Sequence, residues 1–180
     1  IMSSDWSSDV CSSDLGAGDS EQATETLGEL DALAAEGASA AASFWLLKTY
    51  SVTGDEAGQE RLLESLEAMA DADPEDAEVH FWLGRARYEM GDREGAAAAF
   101  EGATALDEEH VLAHFWRGQV YYDQGRYDAA WDAFDRVLQL DPENAAAYHN
   151  RGVIAYQMGD VEQAMSDLSA AAEQDPEDPQ

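Results

Sequence analysis

The chain has 180 residues, 45% of them hydrophobic, and a single cysteine, Cys11; that is enough for one ordinary domain or a short array, and it rules out an internal disulfide framework or a cysteine metal cluster. Nine Lys plus Arg against 39 Asp plus Glu leave a net charge of −30, whose field repels phosphate backbones and anionic lipid headgroups and so argues against nucleic acid and direct membrane contact. No apolar run reaches the roughly 18 to 20 residues that span a bilayer and no signal-peptide pattern opens the chain, so it reads as soluble, with a lean to the cytoplasm and the compartment otherwise open.

Residues 1–15 stand apart. Ser-Ser-Asp occurs there three times, at 3–5, 7–9 and 12–14, with neither helical nor strand periodicity, the composition of a disordered acidic tail. Residues 9–15, Asp-Val-Cys-Ser-Ser-Asp-Leu, resemble a translated synthetic sequencing-library adapter of the kind that enters metagenome assemblies. On that resemblance the segment is set aside. Without Asp5, Asp9 and Asp14 the charge moves from −30 to −27, and no cysteine remains. One lysine among the cations and so acidic a remainder point to a halophilic or high-GC prokaryotic source. Residues 16–39 carry Leu27, Leu30, Leu33 and Ala34 and read as one helix of an incomplete upstream unit.

From residue 77 a period of 34 governs the chain. Gly84, Gly118 and Gly152 recur at that spacing, as do Gly91, Gly125 and Gly159, and Phe100, Phe134 and Leu168. Within each unit two amphipathic stretches of about 14 residues flank a glycine turn, the pattern of a helix–turn–helix solenoid. Small residues such as Ala96 and Ala103 let the two helices approach, and Phe100 fills the space between them. Gly91 and its counterparts fall where the first helix ends, a left-handed position that glycine adopts cheaply. Asp92 and Asp160 then cap the next helix, and Asp141-Pro142 and Asp175-Pro176 close their units. The units are 77–110, 111–144 and 145–178. Upstream, Phe44-Trp45 aligns with Phe81-Trp82 and Phe115-Trp116, so 40–76 reads as a degenerate copy with three extra residues in its turn, Leu47 standing where later units have glycine.

Leu83-Gly84, Ala96, Phe100, Ala103 and Leu106, then Gly118, Tyr121, Ala130, Phe134 and Asp141-Pro142, then the unit opening at Tyr148, resemble the tetratricopeptide repeat over residues 77–178. The resemblance implies an all-α fold, a right-handed superhelical solenoid of antiparallel helix pairs, whose first helices line a concave groove that takes an extended peptide or a partner helix. Carried onto this sequence, the groove comprises Phe44, Lys48 and Ser51, then Phe81, Arg85 and Tyr88, then Phe115, Gln119 and Tyr122, then His149, Val153 and Tyr156, with Glu89 and Asp123 placed to attract basic flanks. Lys48 and Arg85 form a local anion spot. The carboxylate clamp of the best-known peptide-holding members is mostly missing, because its places here carry Phe81, Arg85, Trp116, Ala146 and Asn150.

Other residues read as structural. His80 and His114 are one repeat position seen twice, and His110 lies in a linker beside Glu108 and Glu109 without a second ligand pair, so no metal is assigned. Arg117 and Arg151 are expected to pair with Asp107 or Asp141 across the inter-unit turns. No catalytic constellation, cofactor loop or paired buried carboxylate stands out. The sequence reads as a non-catalytic protein–protein interaction scaffold binding a protein or peptide; a non-catalytic region of a longer enzyme or transferase, and a structural or dimerising array, stay open beside it. The last helix, near Ala164, Leu168 and Ala171, is expected to expose apolar surface and to self-associate weakly, since an array without a polar cap leaves its end uncovered.

Overall fold

The computed structural model of the protein describes residues 39–174; the expectations for residues 1–15 and 16–38, and for the closing Asp175-Pro176, lie outside them. The described residues form eight α-helices and no strand: α1 Ala40–Thr53, α2 Glu56–Ala72, α3 Ala77–Glu89, α4 Arg93–Leu106, α5 Val111–Asp123, α6 Tyr127–Leu140, α7 Ala145–Met158 and α8 Val161–Gln174. Consecutive helices pair antiparallel, and the pairs stack as a right-handed all-α solenoid.

Local chemistry accounts for the helix bounds. Gly54, Gly91, Gly125 and Gly159 hold φ between 72° and 87° at the ends of α1, α3, α5 and α7. After each, the next residue's amide reaches back five positions, Asp92 to the Arg87 carbonyl at 2.9 Å and Arg126 to that of Tyr121 at 2.8 Å. Three of the four following helices start on an acid: Asp55, Asp92 and Asp160 accept from Gly58, Gly95 and Gln163 amides at 2.9, 2.9 and 3.0 Å, which satisfies donors that the helix leaves unpaired, whereas α6 follows Arg126 without a side-chain cap. Between pairs, Asp76 and Asn144 cap α3 and α7, and His110 caps α5 through its ring nitrogen at 3.3 Å from the Ala113 amide.

Within a pair the helices interlock by size. A Cβ on Gly84 would lie 2.8 Å from the Phe100 ring, one on Gly118 the same distance from Phe134, and one on Gly152 3.0 Å from Leu168. Phe100 and Phe134 are fully enclosed and join Ala96, Ala103, Ala113, Ala130, Val137, Ala147 and Ile154 in the core. The first pair lacks this glycine, and Leu47 is fully buried in its place on α1. Near the turn it repeats a close approach of the next pair, a Cβ on Gly58 lying 2.8 Å from the Tyr50 ring as one on Gly95 would lie 2.9 Å from Arg87 Cδ. The three extra residues of this pair are also not in a turn: α2 has 17 residues where α4, α6 and α8 have 14, while Gly54-Asp55 repeats the geometry of the later turns.

The histidines act as staples between turn and helix. His80 Nε2 lies 3.0 Å from the Pro74 carbonyl and His114 Nε2 3.1 Å from that of Glu108, two equivalent positions one period apart. The arginines do not pair with Asp107 or Asp141. Arg117 donates to the Thr104 hydroxyl at 2.8 Å, and Arg151 holds Asp167 through two bonds at 2.8 Å and Asp135 at 2.7 Å. These partners lie on second helices, Thr104 on α4 and Asp135 on α6 of the preceding pair and Asp167 on α8 of the same pair, because the residue just before the glycine is turned 100° from it and faces the neighbouring second helices.

Candidate functional site

First helices touch each other from pair to pair, α1 with α3 and α3 with α5, whereas the second helices make no comparable contact with one another. The first helices therefore lie toward the inside of the curve, where successive elements converge. The face they present follows from the 100° step of the helix. On α3 it holds Glu78, Trp82, Arg85 and Glu89, and on α5 Leu112, Trp116, Gln119 and Asp123, each series spaced by four, three and four; all eight are exposed or half-buried. On α1 the same positions are Trp45, Lys48 and Val52, and on α7 Ala146, Asn150, Val153 and Gln157.

Arg85 is at the centre. Its guanidinium carbon sits 4.8 Å from the Phe44 ring centroid and 3.8 Å from that of Trp116, held between aromatics of the neighbouring first helices on either side. One turn along α3, Glu89 lies 3.7 Å from Arg85 and 3.7 Å from Lys48. The two cations of the expected anion spot thus share one carboxylate. Burial pulls the Arg85 guanidinium below its usual range, and Glu89 opposes that shift; stacking between rings is a cation–π arrangement that arginine tolerates well because its plane is weakly hydrated.

A second cluster adjoins it. The Tyr88 ring meets Trp116 edge-on at 5.3 Å, and its hydroxyl donates to Asp123 at 2.8 Å. Arg93 stacks 3.9 Å over the same ring and donates to Asp123 at 3.2 Å. Gln119 reaches the other carboxylate oxygen at 3.4 Å. Burial, followed by the neighbouring Asp123, raises the Tyr88 phenol above its ordinary value. Glu89 and Asp123, expected to await basic flanks, are each engaged by internal cations.

The remaining expected groove residues are distributed differently. Phe44 and Phe81 are 0% and 2% exposed and belong to the core. Phe115 is half-buried, packed edge-on against Phe134 at 5.3 Å. Tyr122 pairs with Tyr127 at 5.8 Å. His149 and Val153 are partly buried, Ser51 and Tyr156 exposed; the Arg85 and Tyr88 clusters do not include them. Trp82, which packs on Phe44 at 5.1 Å and donates to Glu78 at 3.0 Å, Trp116 and Arg93 are residues of this face that the expected groove set did not include. The signal was the second member of each Phe-Trp pair: one step of 100° turns the phenylalanine inward and leaves the tryptophan on the face.

Among the described residues no three His, Cys, Asp or Glu side chains converge as a metal site, and no helix is long and apolar enough to cross a membrane. The face offers indole surface, paired charges and a few amide groups. Such a surface holds apolar and aromatic side chains by contact and reads a peptide backbone by hydrogen bonds.

Two family models of the tetratricopeptide repeat match the chain, over residues 83–145 and 118–180. No curated protein matches the sequence. Among solved structures the chain is similar to MamA, with 25% identity and a TM-score of 0.69 over 85% of this chain and 92% of that one. It is similar also to YrrB, described as a tetratricopeptide-repeat protein with an unusual peptide-binding site, at 24% identity and a TM-score of 0.66 over 87% and 79% of the two chains. A thermophilic tetratricopeptide-repeat protein of Thermus thermophilus has the same fold at 20% identity and a TM-score of 0.65, over 87% and 85%.

Proposed function

The chain belongs to the tetratricopeptide-repeat family, and from that premise we propose that it is a non-catalytic interaction scaffold whose first-helix face binds an extended peptide or partner helix. The observation that carries the reading is the row Trp45, Trp82 and Trp116 across three successive first helices, 47% exposed at Trp45 and half-buried at the other two. Aromatic surface organised at that spacing suits apolar or aromatic side chains along one ligand. Because Lys48 and Arg85 share Glu89, and Arg93 engages Asp123, the centre of the face favours neither a free carboxylate nor a bare cation. Basic flanks of the ligand are drawn instead by Glu78, which is exposed at the start of α3, and by the net charge of −30.

The test is selection from a displayed peptide library against the full chain, followed by titration of an enriched peptide. Trp45→Ala, and Tyr88→Ala with Tyr122→Ala, are expected to weaken binding tenfold or more. Unchanged affinity in all of these variants would mean that the aromatics only pack.

A further inference from the structure

The outer side of α8 is exposed where its counterpart one pair earlier is covered. Val161, Met165, Leu168 and Ala172 follow at spacings of four, three and four, which puts them in one seam. All four are exposed, Met165 at 68% and Leu168 at 39%. One period earlier the same positions are Tyr127, Trp131, Phe134 and Leu138, and there Phe134 and Leu138 are buried together with Ala147 and Ile154 of α7, with Tyr127 and Trp131 packed against that cluster. Arg151 of α7 lies over the Trp131 ring at 4.9 Å. What covers this seam inside the array is therefore an amphipathic helix, and the surface of α8 continues that established interface.

The rim selects the kind of helix. Between residues 145 and 174 the only Lys or Arg is Arg151, already held by Asp135 and Asp167. Asp160, Glu162 and Glu173 stand exposed on α8 and just before it. A second copy of a chain carrying −30 is repelled from such a surface, which also weighs against the self-association expected from sequence. We propose that the exposed seam of α8 docks a basic amphipathic helix of another protein. Its apolar stripe covers Val161, Met165 and Leu168, and its flanking lysines or arginines face Glu162 and Glu173, as charged positions flank the seam of a coiled coil. This surface is separate from the first-helix face, and the inference does not rest on the function proposed there.

The probe is an 18-residue helical peptide with leucine at heptad a and d positions and lysine elsewhere, labelled with fluorescein and titrated by anisotropy with the full chain at about 0.15 M salt, where the Debye length is about 8 Å. The decisive variant is Val161→Glu with Met165→Glu. Both side chains are more than half exposed, so the helix content measured by circular dichroism stays that of the wild type. Binding is expected to weaken about tenfold or more, the loss of two apolar contacts, although the variant is more acidic by two charges. Equal or tighter binding would overturn the proposal, because attraction by charge alone would then suffice. An equal loss in Tyr88→Ala with Tyr122→Ala would place the peptide on the first-helix face and overturn it too. Sedimentation showing a wild-type dimer that the glutamates dissociate would assign the seam to a second copy instead. Glu162→Gln with Glu173→Gln is expected to weaken binding severalfold and flatten its salt dependence; an unchanged salt slope would remove the rim from the recognition.

Discussion

The helix pairs α1–α2 and α3–α4 close one crossing differently. In α3–α4 the first helix gives way there, Gly84 making room for Phe100; in α1–α2 the same place on the first helix is filled by the fully buried Leu47, and the second helix is three residues longer. Near the turn the two pairs agree, Gly58 lying against Tyr50 as Gly95 lies against Arg87. The first pair also lacks the staple. Where His80 and His114 reach back to a turn carbonyl, α1 has Ser43, buried, with a hydroxyl that has no hydrogen-bond partner among the described residues.

The strongest way to break this comparison is Leu47→Gly, which would impose the α3 solution on α1 without a partner for it. The change empties a fully buried site and adds a glycine inside a helix, so a loss of about 3–5 kcal/mol is expected by chemical denaturation. A loss below about 1 kcal/mol would mean that α2 can shift to close the gap and that the two pairs are interchangeable. Gly84→Ala is the converse intrusion. Its Cβ meets the Phe100 ring, and a cost of about 1–3 kcal/mol is expected from overpacking, whereas at an ordinary exposed helix site the same change stabilises.

The staple gives a smaller, pH-dependent difference. Burial lowers the His114 pKa below its ordinary value; the nearby Arg117, Arg136 and His110 push the same way and the hydrogen bond to the Glu108 carbonyl resists. The unfolded chain therefore takes up the proton first, and the contribution of neutral His114 is lost as pH falls through about 6.5. Against His114→Gln, which keeps a donor for the carbonyl, the wild type should lose melting temperature on going from about pH 7.5 to about pH 5.5; a constant difference between the two would show that His114 titrates as if unfolded. The smallest effect belongs to the other pair: Ser43→Ala removes an unsatisfied hydroxyl and should be neutral or stabilise by up to about 1 kcal/mol.

Much of the fold was legible because it is written in repetition. Gly91, Gly125 and Gly159 marked the turns, Gly84 and Phe100 the interlock, and Asp92 and Asp160 the caps, each a local rule read more than once. The first pair was legible only in outline, since Phe44-Trp45 and Gly54-Asp55 align but nothing local says how the longer α2 packs around Leu47 where later units have glycine. The candidate site suffered from one step of phase. Phe81 and Trp82 are neighbours in sequence and 100° apart on the helix, so choosing the phenylalanine as the lining residue moved the whole stripe inward, while Arg85, on the boundary between the two stripes, was named under either phase. Partners such as Glu89 for Lys48 lie a whole unit apart, and only the superposition of pairs brings them together.

Arg85 also bears on how fast a ligand can be held. By lying between Phe44 of α1 and Trp116 of α5 it pins three consecutive first helices at one curvature before any ligand arrives. The surface is then preorganised: no loop has to be ordered and no domain closed on encounter, so the entropy of shaping the site is spent in folding rather than in association. Ligands of different fit should consequently arrive at similar rates, and their residence times should carry the discrimination.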